Sequence, residues 1–475
     1  MREITKFYID GQWVEPTELN LIDVINPATE KSAGQVALGT AADVDAAVAA
    51  ARRAFATWGQ TTVDERVAVL NAIIAEYQKR MPDLAAAVTE EMGAPVGLSN
   101  AAQVPIGLGH LMTAAATLPG YAFGENRGSH RIVKEPVGVC GFITPWNWPL
   151  NQVMCKLAPA LATGCTVVLK PSEVAPFSAA IVAEILDAAG VPAGVFNLVN
   201  GDGPGVGAAL SAHPDVDMIS FTGSTKAGIE VAKNAAPTVK RVAQELGGKS
   251  PNIILDDEDF ATNVAGGINS MMLNSGQSCN APSRMLVPNS RLDEVAGIAT
   301  DVGAALTVGD PNGDVRLGPV VSEAQFDKIQ GLIERAIADE ATPVIGGAGR
   351  PEGLETGYYV RPTVFTNVTN DMEIARTEVF GPVLVVIGYD SIDEAIKIAN
   401  DTEYGLAGYV SGKDIDEVRR IGGAIRAGSI SLNGAMVDPA APFGGYKKSG
   451  NGREWGGDYG FEDFLEIKSL LGYDA

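Results

Sequence analysis

The chain is poor in positive charge, cysteine, histidine and aromatic rings, and it has no long apolar run. Among its 475 residues, 35 Lys and Arg stand against 58 Asp and Glu, a net charge of −23. A chain this acidic has no general field for polyanions, so neither nucleic acid nor an anionic membrane is an expected partner. Aromatic residues make up only 6%, which further weakens a base-stacking surface. The four cysteines, Cys140, Cys155, Cys165 and Cys279, contain no C-x-x-C pair and are too sparse for a disulfide framework. The three histidines, His110, His130 and His213, do not lie at metal-ligand spacing from one another or from a cysteine, so no metal site is expected. No stretch approaches about 18 uninterrupted apolar residues, and the opening MREITKFYIDGQW lacks the apolar core of a secretory leader. Neither a membrane span nor a leader is expected, and the expected setting is a reducing one, the cytoplasm.

Hydrophobic residues make up 46% of the chain, enough for a sizeable core, and the length suits two large domains or three ordinary ones. Residues 41–58 and 64–92 carry apolar positions at helical spacing. From about 132 the pattern changes to short β-rich runs at 137–143, 165–170, 195–199 and 218–223, with helical segments at 176–190 and 204–211. A second such stretch covers about 250–450, with strands near 251–255, 284–288, 383–388 and 428–432. This alternation predicts two doubly wound α/β units, with chemistry in the cleft between them.

Two glycine-bearing turns compete as a phosphate site. Residues 203–208 match G-x-G-x-x-A after a predicted strand, while FTGSTKAG at 221–228 ends a strand in Gly223, Ser224 and Thr225 before a helix. Free amides at a helix N-terminus suit a pyrophosphate in either place, and local pattern leaves the two level. The nucleophile is easier to single out. Cys279 lies in the small polar run NSGQSCNAPSR, whereas the other three cysteines sit in apolar or strand-like runs that favour inert packing. In QELGGKSP, Glu245 is followed by Leu246 and the Ile253-Ile254 strand, surroundings that would raise a carboxyl pKa and suit it to activating water.

Seven strings occur in one order: TPWNWP, LKPSE, FTGSTKAG, QELGGKSP, GQSC, TEVFGPV and APFGGYKKSGNGRE. In that order they resemble the aldehyde dehydrogenase superfamily, and the likeness runs from INPATE at 25–30 to FLEIKS at 464–469. It implies an aldehyde dehydrogenase-like α/β fold with a small β oligomerisation arm. The cofactor domain would comprise 1–117 and 137–246, the catalytic domain 247–455, and the arm 118–136 and 456–475. It implies NAD-dependent oxidation of an aldehyde to the free acid. Cys279 would be the nucleophile, Asn147 and the Cys279 amide the oxyanion donors, and Glu245 the base that hydrolyses a thioester. The implied cofactor contacts are Ile143, Thr144, Pro145, Trp146, Lys170, Ser172, Glu173, Gly223, Ser224, Glu378 and Phe380. A carboxylate at Glu173 suits a ribose 2′-hydroxyl, so NAD is expected over NADP. The role of Glu454 stays open between a proton path and a structural turn.

The resemblance also bears on the substrate. The position six residues beyond Pro149, where relatives place an anchoring Arg or an aromatic wall, is Cys155. With Trp148, Met154, Ser278, Phe443 and Asp438 nearby, the expected pocket is roomy and suits a neutral aldehyde. A homodimer or homotetramer is expected, since the arm would pair with a partner's sheet. Two rival readings are an NAD-independent acyl hydrolase pairing Cys279 with His213, and a non-catalytic protein that keeps the fold.

Overall fold

The computed structural model describes residues 2–474. Five parallel strands form the centre of an eight-stranded sheet: β1 (Val139–Ile143), β2 (Thr166–Lys170), β3 (Phe196–Leu198), β4 (Met218–Thr222) and β5 (Arg241–Glu245). Their spatial order is β5-β4-β1-β2-β3. All residues of β1, β2, β3 and β4 are buried, as strands covered on both faces by helices require. The chain runs outward from β1 through β2 to β3, then returns to lay β4 and β5 on the other side of β1. That reversal opens a crevice at the carboxyl ends of β1 and β4, where doubly wound sheets bind ligands. Antiparallel edge strands extend the sheet, Phe7–Ile9 and Gln12–Val14 beside β3 and Gly450–Asn451 beside β5.

A second, seven-stranded sheet contains Pro251–Ile254, Arg284–Pro288, Val383–Tyr389, Ala407–Ser411 and Ser429–Leu432, all in parallel register. Its edge strand Thr342–Ile345 is antiparallel to Thr363–Thr366. A separate three-stranded sheet joins Gly124–Arg127, His130–Pro136 and Leu465–Leu470. The pattern-predicted helices are present as Ala41–Trp58 and Val63–Met92. The second ends at Gly93, whose φ of 78° is the left-handed conformation that glycine adopts without strain. Residues 204–211 form not one helix but a π-type turn, Gly203–Gly207, followed by the helix Ala208–Ala212. Phe7–Ile9, a buried strand of only three residues, is too short for a periodic pattern to show in the sequence.

Beyond β1 the chain enters the helix Pro149–Thr163. Proline at its first position and Gly164 beyond its end, at φ 95°, set its limits. Every one of its 15 residues is buried, including Lys156.

Candidate active site

Register brings the scattered motifs to one edge. Ile143 pairs with Lys170 across β1 and β2, Phe221 with Ile143 across β4 and β1, and Thr222 with Glu245 across β4 and β5. The chain leaving each strand therefore emerges at the same rim, with Thr144, Pro145 and Trp146 after β1, Ser172 and Glu173 after β2, and Gly223 and Ser224 after β4. The Lys170 ammonium lies 2.9 Å from Glu173 Oε2. Lys170 is buried and Ser172 nearly so.

The two competing turns differ in what caps them. In the Gly203–Gly207 turn the Asp202 carboxylate accepts from the Gly205 amide at 2.7 Å, so an anion already sits at that N-terminus. The helix Thr225–Ala235 is capped by a neutral hydroxyl, Ser224 Oγ, which accepts from the Ala227 amide at 3.2 Å. Gly223 donates its amide to Glu245 O at 3.0 Å, so that N–H is spent within the sheet. The first amides of the helix have no carbonyl four residues back and remain available.

The cysteine loop is held in an unfavourable backbone form. Asn274, Ser275 and Gly276 have φ of 54°, 52° and 71°, a left-handed run that is costly for the two non-glycine residues. Side chains hold it there. Asn274 Nδ2 donates to Asn147 O at 3.0 Å, Ser275 Oγ to Gly318 O at 2.9 Å, and Gln103 Nε2 bridges Asn147 O and Asn274 Oδ1. A Cβ on Gly276 would lie 2.0 Å from Gly381 O, so only glycine fits where this loop meets the Phe380-Gly381 turn. Asn147 donates its side-chain amide to Gln277 O at 3.0 Å, and Trp148 Nε1 donates to Ser278 Oγ at 2.8 Å. The Pro-Trp-Asn-Trp-Pro turn thus grips the cysteine loop from both sides.

Cys279 is half-buried, whereas Cys140, Cys155 and Cys165 are fully buried. Burial, then the Glu378 and Glu245 carboxylates, push the Cys279 thiol well above its ordinary pKa. Glu245 is 4% exposed and neither carboxylate oxygen has a hydrogen-bond partner. Burial and the neighbouring Glu454 carboxylate push its pKa well up, in the direction its apolar sequence neighbours suggested. The segment after Glu245 passes against the Cys279 backbone: a Cβ on Gly248 would lie 2.2 Å from Cys279 O. Glu378 accepts from the Gly248 amide at 2.8 Å, and the Trp146 and Phe380 rings meet edge to face with centroids 5.4 Å apart.

Of the residues read as pocket wall, Cys155 and Phe443 form one apolar cluster with Leu406 and Trp455, against which Cys279 packs. Met154 points elsewhere, wholly buried in the first sheet's core, because its helix presents successive residues to different faces. Asp438 lies in the loop beyond the second sheet and accepts from the Ala440 amide at 2.9 Å.

His213 is not brought to Cys279. Its Nε2 lies 3.3 Å from Asp45 Oδ1 and its Nδ1 accepts from the Asp215 amide, so both ring nitrogens are engaged at the far end of β4. The acyl hydrolase pairing has no geometry. Sequence reasoning passed over Lys156, Gln103 and Gln325. Lys156 is ion-paired with Glu454; Gln325 Nε2 donates to Phe380 O at 2.8 Å and so holds Phe380 at its left-handed φ of 60°. A single charged residue in an otherwise uncharged helix was the signal for Lys156; the two glutamines had none. Among the described residues no group of three or more His, Cys, Asp or Glu is placed to hold a metal, and no helix is long and apolar enough to cross a membrane.

The aldehyde dehydrogenase family model matches residues 13–470. The chain is 57% identical over 477 residues to 3-succinoylsemialdehyde-pyridine dehydrogenase from a Pseudomonas species, with all of both chains covered. Among solved structures it is similar to aldehyde dehydrogenase C from Pseudomonas syringae, a mutant crystallised with NAD+ and octanal, at 52% identity and a TM-score of 0.98. That match covers 99% of this chain and 97% of the other. It is also similar to a Mycobacterium tuberculosis aldehyde dehydrogenase complexed with NAD+, at 42% identity and a TM-score of 0.95. There the match covers 99% and 98% of the two chains.

Proposed function

The chain belongs to the aldehyde dehydrogenase family, and from that premise we propose that it oxidises a neutral aldehyde to the carboxylic acid with NAD, using Cys279 as nucleophile and Glu245 as base. The observation that carries this reading is the buried, unpartnered Glu245 carboxylate beside a half-buried thiol. A buried carboxylate without a donor is costly, and such groups concentrate where chemistry uses them.

The residues present fit the dinucleotide. The crevice lies at a topological switch point, and the Thr225–Ala235 helix offers amides uncompensated by any capping carboxylate. A Cβ on Gly247 would come within 2.5 Å of Glu378 Oε2, so the backbone is bare where that carboxylate would grip a ribose. Lys170 and Glu173 would hold the adenosine ribose, with Glu173 suiting a 2′-hydroxyl and repelling a 2′-phosphate. Ile143, Thr144, Pro145 and Trp146 would line the cofactor's path and Phe380 its ring. When bound, NAD supplies the acceptor for the hydride lost as the tetrahedral adduct collapses.

Cys279 attacks the aldehyde carbonyl as its thiolate, its proton passing to the solvent that the half-buried thiol faces. The oxyanion so formed faces the free N–H of Asn147 and the Cys279 amide, donors fixed in place before reaction. After hydride loss a thioester remains on sulfur. Glu245 then takes a proton from water, which attacks the thioester, and the acid leaves with the thiol restored. The apolar wall of Cys155, Phe443 and Trp455 favours an uncharged tail, and octanal in the P. syringae crystal is such an aldehyde. The exposed strand Leu465–Leu470, with Ile467 67% exposed, supports pairing with a second copy in a dimer or tetramer.

With NAD and octanal the protein should generate NADH absorbance. Cys279→Ala should lower that rate at least about a thousandfold while leaving NAD binding measurable by calorimetry. Turnover of Cys279→Ala at the parental rate would overturn the nucleophile.

A further inference from the structure

Next to Glu245 the helix Pro149–Thr163 and the short strand Glu454–Trp455 enclose a cluster of charge. Lys156, 0% exposed, is ion-paired with Glu454 Oε1. The second oxygen of that carboxylate faces Cys155, whose Sγ lies 3.2 Å from Glu454 Oε2. The thiol's other acceptor, Gln152 O, is further away at 3.6 Å. Two consecutive helix residues therefore occupy both oxygens of one buried carboxylate. Glu245 is within electrostatic reach of both partners, repelled by Glu454 and relieved by Lys156. The other charged or titratable groups around Glu454 and Glu245 are Cys279 and His110, the latter bonded to Asn151, together with Asp463 and Arg453.

We infer that Cys155 is a positioning residue for thioester hydrolysis: its S–H, with Lys156, fixes Glu454 and spreads its charge, limiting the repulsion Glu454 exerts on Glu245. The inference rests on the base role of Glu245 proposed above. An apolar residue of similar size would wall the pocket equally well but leave Glu454 Oε2 bare in a low-dielectric interior, where an unshielded charge acts strongly. With that oxygen bare, Glu454 would repel the Glu245 carboxylate more strongly, so Glu245 would hold its proton more tightly.

The test monitors decay of the acyl adduct on Cys279, by rapid-quench mass spectrometry after a single turnover with NAD and octanal, across pH. Cys155→Ser keeps both the side-chain length and a donor, Cys155→Ala loses both, and Cys155→Val keeps the bulk without a donor, so Val separates loss of the donor from loss of the wall. The acid limb of adduct decay should move up by about half a pH unit or more in the Ala and Val variants and stay near the parental position in Ser. An unmoved limb, a downward shift, or equal shifts in Ala and Ser would overturn the inference. Failure of the parent to form any adduct is a different result: it removes the Cys279 reading, and the inference with it.

Discussion

Three carboxylates, Glu245 at the end of β5, Glu91 in the helix Val63–Met92 and Asp43 in the helix Ala41–Trp58, are 4%, 0% and 4% exposed, yet their environments differ. Glu245 accepts no hydrogen bond. Glu91 accepts from the amides of Phe177 and Ser178, at the start of the helix Phe177–Ala188. Asp43 accepts four, from the amide and hydroxyl of both Thr17 and Thr40, at 2.7 to 2.9 Å. Burial disfavours the charged form of all three; the donors at Glu91 and Asp43 work against it, while at Glu245 the Glu454 carboxylate adds to it. Glu245 is pushed well up, Glu91 to about 7, and Asp43 ends below its ordinary value. Partnered carboxylates tie helices together. The unpartnered one is the carboxylate to which the proposed reaction assigns the base role.

Glu245→Gln should break the comparison with the largest effect. Gln keeps the shape but cannot take a proton, so steady-state turnover should fall roughly 10²–10⁴-fold while a first equivalent of NADH still forms. Stopped-flow absorbance checks this, and equal loss of burst and steady state would end the base role.

Glu91→Gln should act on stability instead. A carboxyl whose folded pKa of about 7 exceeds its ordinary 4.5 contributes stability that is complete below 4.5 and lost as pH rises to about 7. Urea melts of the parent should show that decline, on the order of 3 kcal/mol, and Glu91→Gln should remove it. A parental slope retained in the variant would show that other groups carry it.

Asp43→Asn should give the smallest change and the opposite sign. Its folded pKa is depressed, so its contribution is present above 3.8 and lost as pH falls through the folded value. The substitution should cost about 1–2 kcal/mol at pH 7, and the gap to the parent should close in acid. A constant gap from pH 7 to 2 would contradict the assignment.

Much of the fold and site was legible in the sequence, for identifiable reasons. The helix at 41–58 announces itself by periodicity, and β1, β2 and β4 by short apolar runs between turns. Cys279 stands out from three apolar-flanked cysteines, and the raised pKa of Glu245 agrees with its apolar neighbours. The two glycine turns looked equal because a local pattern does not show what caps a helix; Asp202 in one and Ser224 in the other became visible only in the folded chain. Gln103 and Gln325 were invisible because their importance lies in groups 44 to 171 and 54 to 55 residues away.

By itself, then, the sequence determined the doubly wound class, the family resemblance, the distinctive thiol and the lack of any field for polyanions, all of which rest on short-range pattern and composition. Tertiary structure decided which groups meet. It placed His213 beside Asp45, set Lys156 and Cys155 on the two oxygens of Glu454, and left Glu245 without a donor. Those outcomes depend on strand register and on burial, and burial is what pushes the Glu245 carboxyl above its ordinary pKa.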